Sequence, residues 1–223
     1  FHSRYATRPD GSEVKSEDPK EYLYTMPYST IAKYDVGKRP STVWPGKEQS
    51  PAIKPLATEL IDSVENYVKA NGLDPMRYNI EIKSRKGKDE GKNWPEYHEF
   101  VDKCMELLLS KNLGDRLVVQ CFDARALNYM HEKYPQVKLS YLIRKMDTDW
   151  DAYMGKLNFT PDWLSPEFVI VDQTMVDNCR KAGIRLVPWT VDNEADIRRI
   201  LDLHVEAIIT NYPDRVLKIS RGY

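Results

Sequence analysis

The chain has 223 residues, 41% of them hydrophobic and 30% charged, and its 33 basic and 34 acidic side chains leave a formal net charge of −1. That balance suits a soluble globular protein of one large or two small domains and gives no bulk-charge drive toward nucleic acid or an anionic membrane. No apolar run approaches the roughly 18 residues of a membrane span.

Residues 1–55 are rich in Pro, Gly, Tyr, Lys and Ser and show little periodicity. Pro9-Asp10-Gly11 signals a turn. A short helix is expected after Thr25, with Pro27 early in it, Ile31 and Tyr34 facing inward and an end near Gly37. Pro40, Pro45 and Pro51 then keep the chain irregular, so this stretch reads as an insertion or small subdomain of a single domain. The apolar positions 56, 60, 61, 64, 67 and 68 predict a helix over 56–71, closed by Gly72. A strand follows at 78–82, then a helix over 95–112 with Phe100, Val101, Cys104, Leu107 and Leu108 on one face. A strand over 116–122 leads to a helix over 123–134 capped by Asp123. The pattern continues with a strand at 137–143, a helix over 148–157 capped by Thr148, a short strand at 162–165 and a second extended piece at 168–171. A helix over 172–182 closes at Gly183. A strand at 185–191, a helix over 193–203, a strand at 206–210 and a last helical turn around 214–219 complete the chain. The cysteines Cys104, Cys121 and Cys179 are scattered, with no Cys-x-x-Cys pair, and read as buried thiols.

Six strands, each followed by a helix, predict a parallel sheet with helices outside it. An eight-stranded β/α barrel and an open doubly wound sheet are the candidates. No Gly-x-Gly-x-x-Gly follows any strand, which removes the nucleotide-binding signature of the open sheet. Polar and aromatic residues gather at strand C-termini (Glu81, Lys83, Gln120, Phe122, Trp189, Thr210 and Asn211), the end of a barrel that carries active sites. The barrel is therefore preferred. Six strands fall short of eight, and a typical barrel needs about 250 residues, so two βα units are expected upstream of Phe1.

Within Tyr78-Asn79-Ile80-Glu81-Ile82-Lys83, alternation turns Asn79, Glu81 and Lys83 to one face. A carboxylate there suits a divalent cation, and the neighbouring ammonium suits a phosphate oxygen. A solvated strand face with an ordinary Glu/Lys pair has the same pattern.

Asn79-Ile80-Glu81-Ile82-Lys83 resembles the third-strand motif of the glycerophosphodiester phosphodiesterase family. Val119-Gln120-Cys121-Phe122-Asp123 resembles the next strand, where Ser usually stands in place of Cys121. Leu186-Val187-Pro188-Trp189-Thr190-Val191-Asp192 is similar to the Pro-Trp-Thr signature, and Ala207-Ile208-Ile209-Thr210-Asn211-Tyr212-Pro213-Asp214 to the closing motif. The order and spacing agree over residues 78–214. Tyr22 to Gly37 is similar to the family's insertion, with its Asp35-Val36-Gly37 turn.

The resemblance implies a (β/α)8 TIM barrel lacking its first two βα units here. It implies hydrolysis of glycerophosphodiesters to glycerol 3-phosphate and an alcohol, with one divalent cation, magnesium or calcium. It implies Glu81 as a metal ligand, Lys83 as the phosphate contact, and Trp189 along the glycerol side of the pocket; Phe122 is a substrate-binding candidate that core packing would explain equally well. The family's His-Arg-Gly start, Glu-x-Asp pair and second catalytic histidine are not present in the chain, which by itself is expected to be inactive. His2 reads as a loop residue, and His98, His131 and His204 as surface or packing residues. His204 and Ala207 stand where the family more often has Gly. Gln120 is expected to hydrogen-bond within the barrel, Asn211 to orient the final turn, and Trp44 to pack or to border the pocket mouth. A barrel without catalysis, binding phosphorylated ligands or serving as scaffold, stays open as the alternative. Head group, oligomeric state and compartment are left open, with export slightly preferred over cytoplasm.

Overall fold

The computed structural model describes residues 6–40, 46, 48–84, 86–87 and 89–222. His2 and Trp44 lie outside the described residues. The chain divides into two compact units, one of residues 1–76 with 85–96 and the other of residues 77–84 with 97–223.

The first unit is mostly irregular. Thr7 bridges both Glu13 and Asp35, around a small core of Ala6, Val14 and Tyr34. The Pro9-Asp10-Gly11 turn forms, with the Gly11 N–H donating to the Arg8 carbonyl. Arg8 also holds Asp18 at 2.8 Å and Glu21 at 3.1 Å. Helix α1 (Tyr28–Ile31) starts directly after Pro27, which caps it and does not enter it. In the Asp35-Val36-Gly37 turn, the Asp35 carboxylate accepts the N–H groups of Gly37 and Lys38. A Cβ on residue 37 would meet the Ser50 carbonyl oxygen at 2.1 Å, so the turn requires glycine. Helix α2 (Ala57–Ala70) forms as expected, but its face is a correction: Ile61 and Val68 are buried while Leu56, Leu60 and Tyr67 are exposed.

The second unit contains a parallel sheet whose strands stand in sequence order: β1 (Tyr78–Glu81), β2 (Leu117–Cys121), β3 (Lys138–Ile143), β4 (Trp163–Pro166) and β5 (Arg185–Leu186). Helices α3 (Tyr97–Ser110), α4 (Ala124–Lys133), α5 (Trp150–Met154), α6 (Gln173–Ala182), α7 (Glu194–Asp202) and α8 (Pro213–Ser220) alternate with the strands and follow the last one. Alternation decides what each strand face meets. Outward-facing Ile82, Val119, Cys121, Leu139, Ile143, Leu164 and Leu186 are buried, as are Val101, Met105, Leu127, Met130, Val176, Cys179, Ile197 and Ile200 on the helices. The inward face is polar at mid-height. Asn79 Nδ2 donates to Gln120 Oε1 at 3.1 Å, the Ser165 hydroxyl lies 3.4 Å from the same oxygen, and the Ser140 and Ser165 hydroxyls are 2.7 Å apart.

Several expected elements differ in detail. Helix α5 is capped by Asp149 and not by Thr148, because the Asp149 carboxylate accepts the Ala152 N–H. The piece at 168–171 is a 3-10 turn at Phe168–Ile170 and not extended, closed by Ile170 N–H to the Glu167 carbonyl. The expected strands at 185–191 and 206–210 shrink to β5 and an irregular ladder. Val187 and Trp189 donate to β4 carbonyls, while Ala207 and Ile209 donate to the carbonyls of Leu186 and Pro188. Pro188 has no N–H to return on that side, which interrupts regular pairing. Among the described residues this parallel ladder has five strands and this one further segment, short of a closed eight-stranded barrel. No described helix is long and apolar enough to cross a membrane.

Candidate active site at the sheet's C-terminal rim

Strand parity places Glu81 and Lys83, then Phe122, Arg144, Glu167 and Trp189, on the inward face at the C-terminal ends of the strands. Glu81 pairs with Gln120 in the β1–β2 register, and its Oε2 lies 3.5 Å from Lys83 Nζ. Lys83 is 78% exposed and Glu81 26%, so the ammonium reaches into open space while the carboxylate is held lower on the rim. An exposed pair of this kind contributes little to stability, about 0–1 kcal/mol.

Trp189 is fixed at both edges. Its indole Nε1 donates to the Ser165 carbonyl at 2.7 Å, and Phe122 packs edge-on at 5.5 Å between ring centroids. The peptide from Trp189 to Thr190 is cis. Asp192 ties the next loop down: its carboxylate accepts from the Thr210 hydroxyl and from the backbone and side-chain amides of Asn211. Asn211 thus orients the start of α8, whose N-cap is Tyr212. The Gln120 side-chain oxygen accepts within the sheet from Asn79 and Ser165, in keeping with its inward position.

The other expected assignments resolve as follows. Among the four histidines, His98 packs on Tyr97 and Tyr129, His131 stacks on Phe159, and His204 adopts φ 53°, a left-handed conformation that favours glycine. None of these three is part of the rim cluster. Cys121 and Cys179 are buried as expected, whereas Cys104 is only partly so. Burial pushes the Cys104 and Cys121 thiols up to about 11 and Cys179 up to about 12, so none is a thiolate near neutrality.

Glu81 is a hard oxygen donor of the kind that suits magnesium or calcium, but such cations take about six or more oxygens. The described residues hold no cluster of three His, Cys, Asp or Glu side chains, so Glu81 fits such an ion as one ligand among several. A mostly apolar cavity of about 230 Å³ lies at the opposite end of the inner face, lined by Asn79, Val118, Trp163, Val187 and Ile209 among others. None of Glu81, Lys83, Phe122 and Trp189 lines it, so the concavity and the charged rim are separate features.

Three residues of the inner face carry no mark in the sequence motifs: Arg144 and Glu167 on the rim and Ser165 beneath it. The strand ends at Ile143, as predicted, and Arg144 follows it on the parity of Ser140 and Leu142. Ser165 has no such signal, because it fixes Trp189 through its backbone carbonyl, which any residue possesses.

The glycerophosphoryl diester phosphodiesterase family matches residues 10–215. The chain belongs to that family. Over 120 residues it is 31% identical to a glycerophosphodiester phosphodiesterase of Bacillus subtilis (strain 168), covering 53% of this chain and 41% of the relative. The chain spans about half the length of the curated relatives it matches. A crystal structure from Silicibacter pomeroyi, assigned by name to the glycerophosphoryl diester phosphodiesterases, aligns with a TM-score of 0.82 at 22% identity, over 100% of this chain and 77% of that one. An Oleispira antarctica phosphodiesterase, in complex with the product sn-glycerol-3-phosphate, aligns at 0.70 and 20% identity over 98% and 77%. These likenesses show the fold, the β/α barrel of the phosphodiesterases, of which the sheet here is an open arc.

Proposed function

We propose that the protein hydrolyses glycerophosphodiesters to glycerol 3-phosphate and an alcohol. Family membership supports the reaction class, and the carrying observation is Glu81 and Lys83, 3.5 Å apart, on the rim that also presents Trp189 and Phe122. In this reading the Lys83 ammonium contacts a non-bridging phosphate oxygen, which lowers the charge that repels a nucleophile and stabilises the charge that builds in the transition state. Trp189 gives the glycerol half an apolar wall whose angle the Ser165 carbonyl fixes. Glu81 holds the ammonium in place and is one ligand of a divalent cation, magnesium or calcium. Such a cation, when bound, supplies further positive charge at the phosphate. Family membership favours the catalytic barrel over a non-catalytic one.

Release of glycerol 3-phosphate from a glycerophosphodiester tests the proposal on the intact protein. Glu81→Gln and Lys83→Met are each expected to lower kcat/KM by about a hundredfold or more, and a chelator is expected to abolish turnover. Full activity in Glu81→Gln would remove that residue from its role.

A further inference from the structure

The rim carries a cation that the reading above does not use. Arg144 follows β3 on the inward parity of Ser140 and Leu142, and its guanidinium sits 4.7 Å over the Phe122 ring. Phe122 in turn meets Trp189 edge-on. The side chain is exposed, and among the described residues the guanidinium has no carboxylate partner. Nearby acids are engaged elsewhere. Asp147 accepts the Arg144 backbone N–H and lies 3.7 Å from Lys156. Glu167 accepts the Lys145 N–H. Asp123 is held by Arg125 and Ser84. The guanidinium therefore keeps its forked donors available while the aromatic face holds its plane.

We propose that Arg144 is a specificity residue for the alcohol half of the diester, favouring head groups that carry their own negative charge. The inference rests on the function proposed above. Lys83 and Arg144 extend from strands two places apart in the sheet, about 10 Å at the backbone. A phosphodiester at Lys83 then leaves Arg144 to meet a second anionic group on the leaving alcohol. The same geometry disfavours a cationic head group, because the Phe122 face that would attract it is already covered by a guanidinium.

The test compares glycerophosphoinositol 4-phosphate with glycerophosphocholine as substrates of the intact protein, reading kcat and KM separately at fixed ionic strength. The wild type is expected to prefer the anionic diester, chiefly through KM. Arg144→Ala is expected to reduce that preference by about ten- to a hundredfold, the range of a charge-assisted hydrogen bond. Arg144→Lys is expected to retain part of the preference and Arg144→Glu to invert it. An unchanged preference in Arg144→Ala and Arg144→Glu, with both diesters still cleaved, overturns this inference and leaves the proposed function standing. Cleavage of neither diester by the wild type contradicts the proposed function, and the inference falls with it.

Discussion

Asp123 shows how one residue near the rim serves structure. It lies two residues past β2, caps α4 by accepting the Arg125 N–H, and holds the Arg125 guanidinium and the Ser84 hydroxyl. Desolvation pushes its carboxyl upward, but the hydrogen bonds from Arg125 and Ser84 outweigh it and leave the group below the ordinary carboxylate value. A depressed carboxyl stabilises the fold fully above its unfolded pKa, about 3.9, and loses that contribution as the pH falls through the folded value. Asp123→Ala is therefore expected to cost about 1 kcal/mol at pH 7 through the lost cap alone. The gap to wild type narrows as the pH falls below the unfolded value of about 3.9 and through the lower folded one, as urea unfolding at neutral and at acid pH checks. The cysteines give a second prediction at this scale. With their thiols protonated at neutral pH, Cys121 and Cys179 are expected to react with a thiol reagent only after denaturation. Fast labelling of either in the native protein contradicts the burial described.

Among the elements, those with chemical end signals were legible in the sequence. Asp123, Asp172 and Asn193 each accept a backbone N–H at the start of α4, α6 and α7, and Gly183 closes α6 at φ 71°. Gly183→Ala is expected to destabilise the protein by about 1–2 kcal/mol, because an alanine Cβ is strained in that left-handed conformation; a drop in denaturation midpoint with unchanged slope measures it. Where two cappers stand side by side, the sequence reading favours Thr148, but the structure uses Asp149, the stronger acceptor. The face of α2 was misjudged for a different reason. Its apolar spacing marks a surface fit for burial, but spacing does not say what covers it, and Leu60 and Tyr67 are exposed.

At the scale of the molecule, strand–helix alternation was enough to give a parallel sheet, and the polar residues at strand C-termini then favoured the barrel, in which neighbours stand in sequence order. Pairing at β5 was not legible, since Pro188 spoils a ladder without changing the apolar run. The rim was legible wherever alternation could be carried along a strand, as for Glu81, Lys83, Phe122 and Trp189. It was not legible at Arg144, which lies one residue past the end of β3. Burial and pairing together predict where the fold is most resistant. Amides of β2, β3 and β4, each paired on both sides, are expected to exchange hydrogen more slowly than those of β1 and residues 207–209. The central claim is that the C-terminal rim binds the phosphate, and the indole N–H resonances of the tryptophans report on it directly. Titration of sn-glycerol 3-phosphate into the intact protein with magnesium is expected to shift the Trp189 signal, at the rim, and to leave that of Trp163, at the far end of β4, in place. A stationary Trp189 signal alongside a moving Trp163 signal would contradict the account.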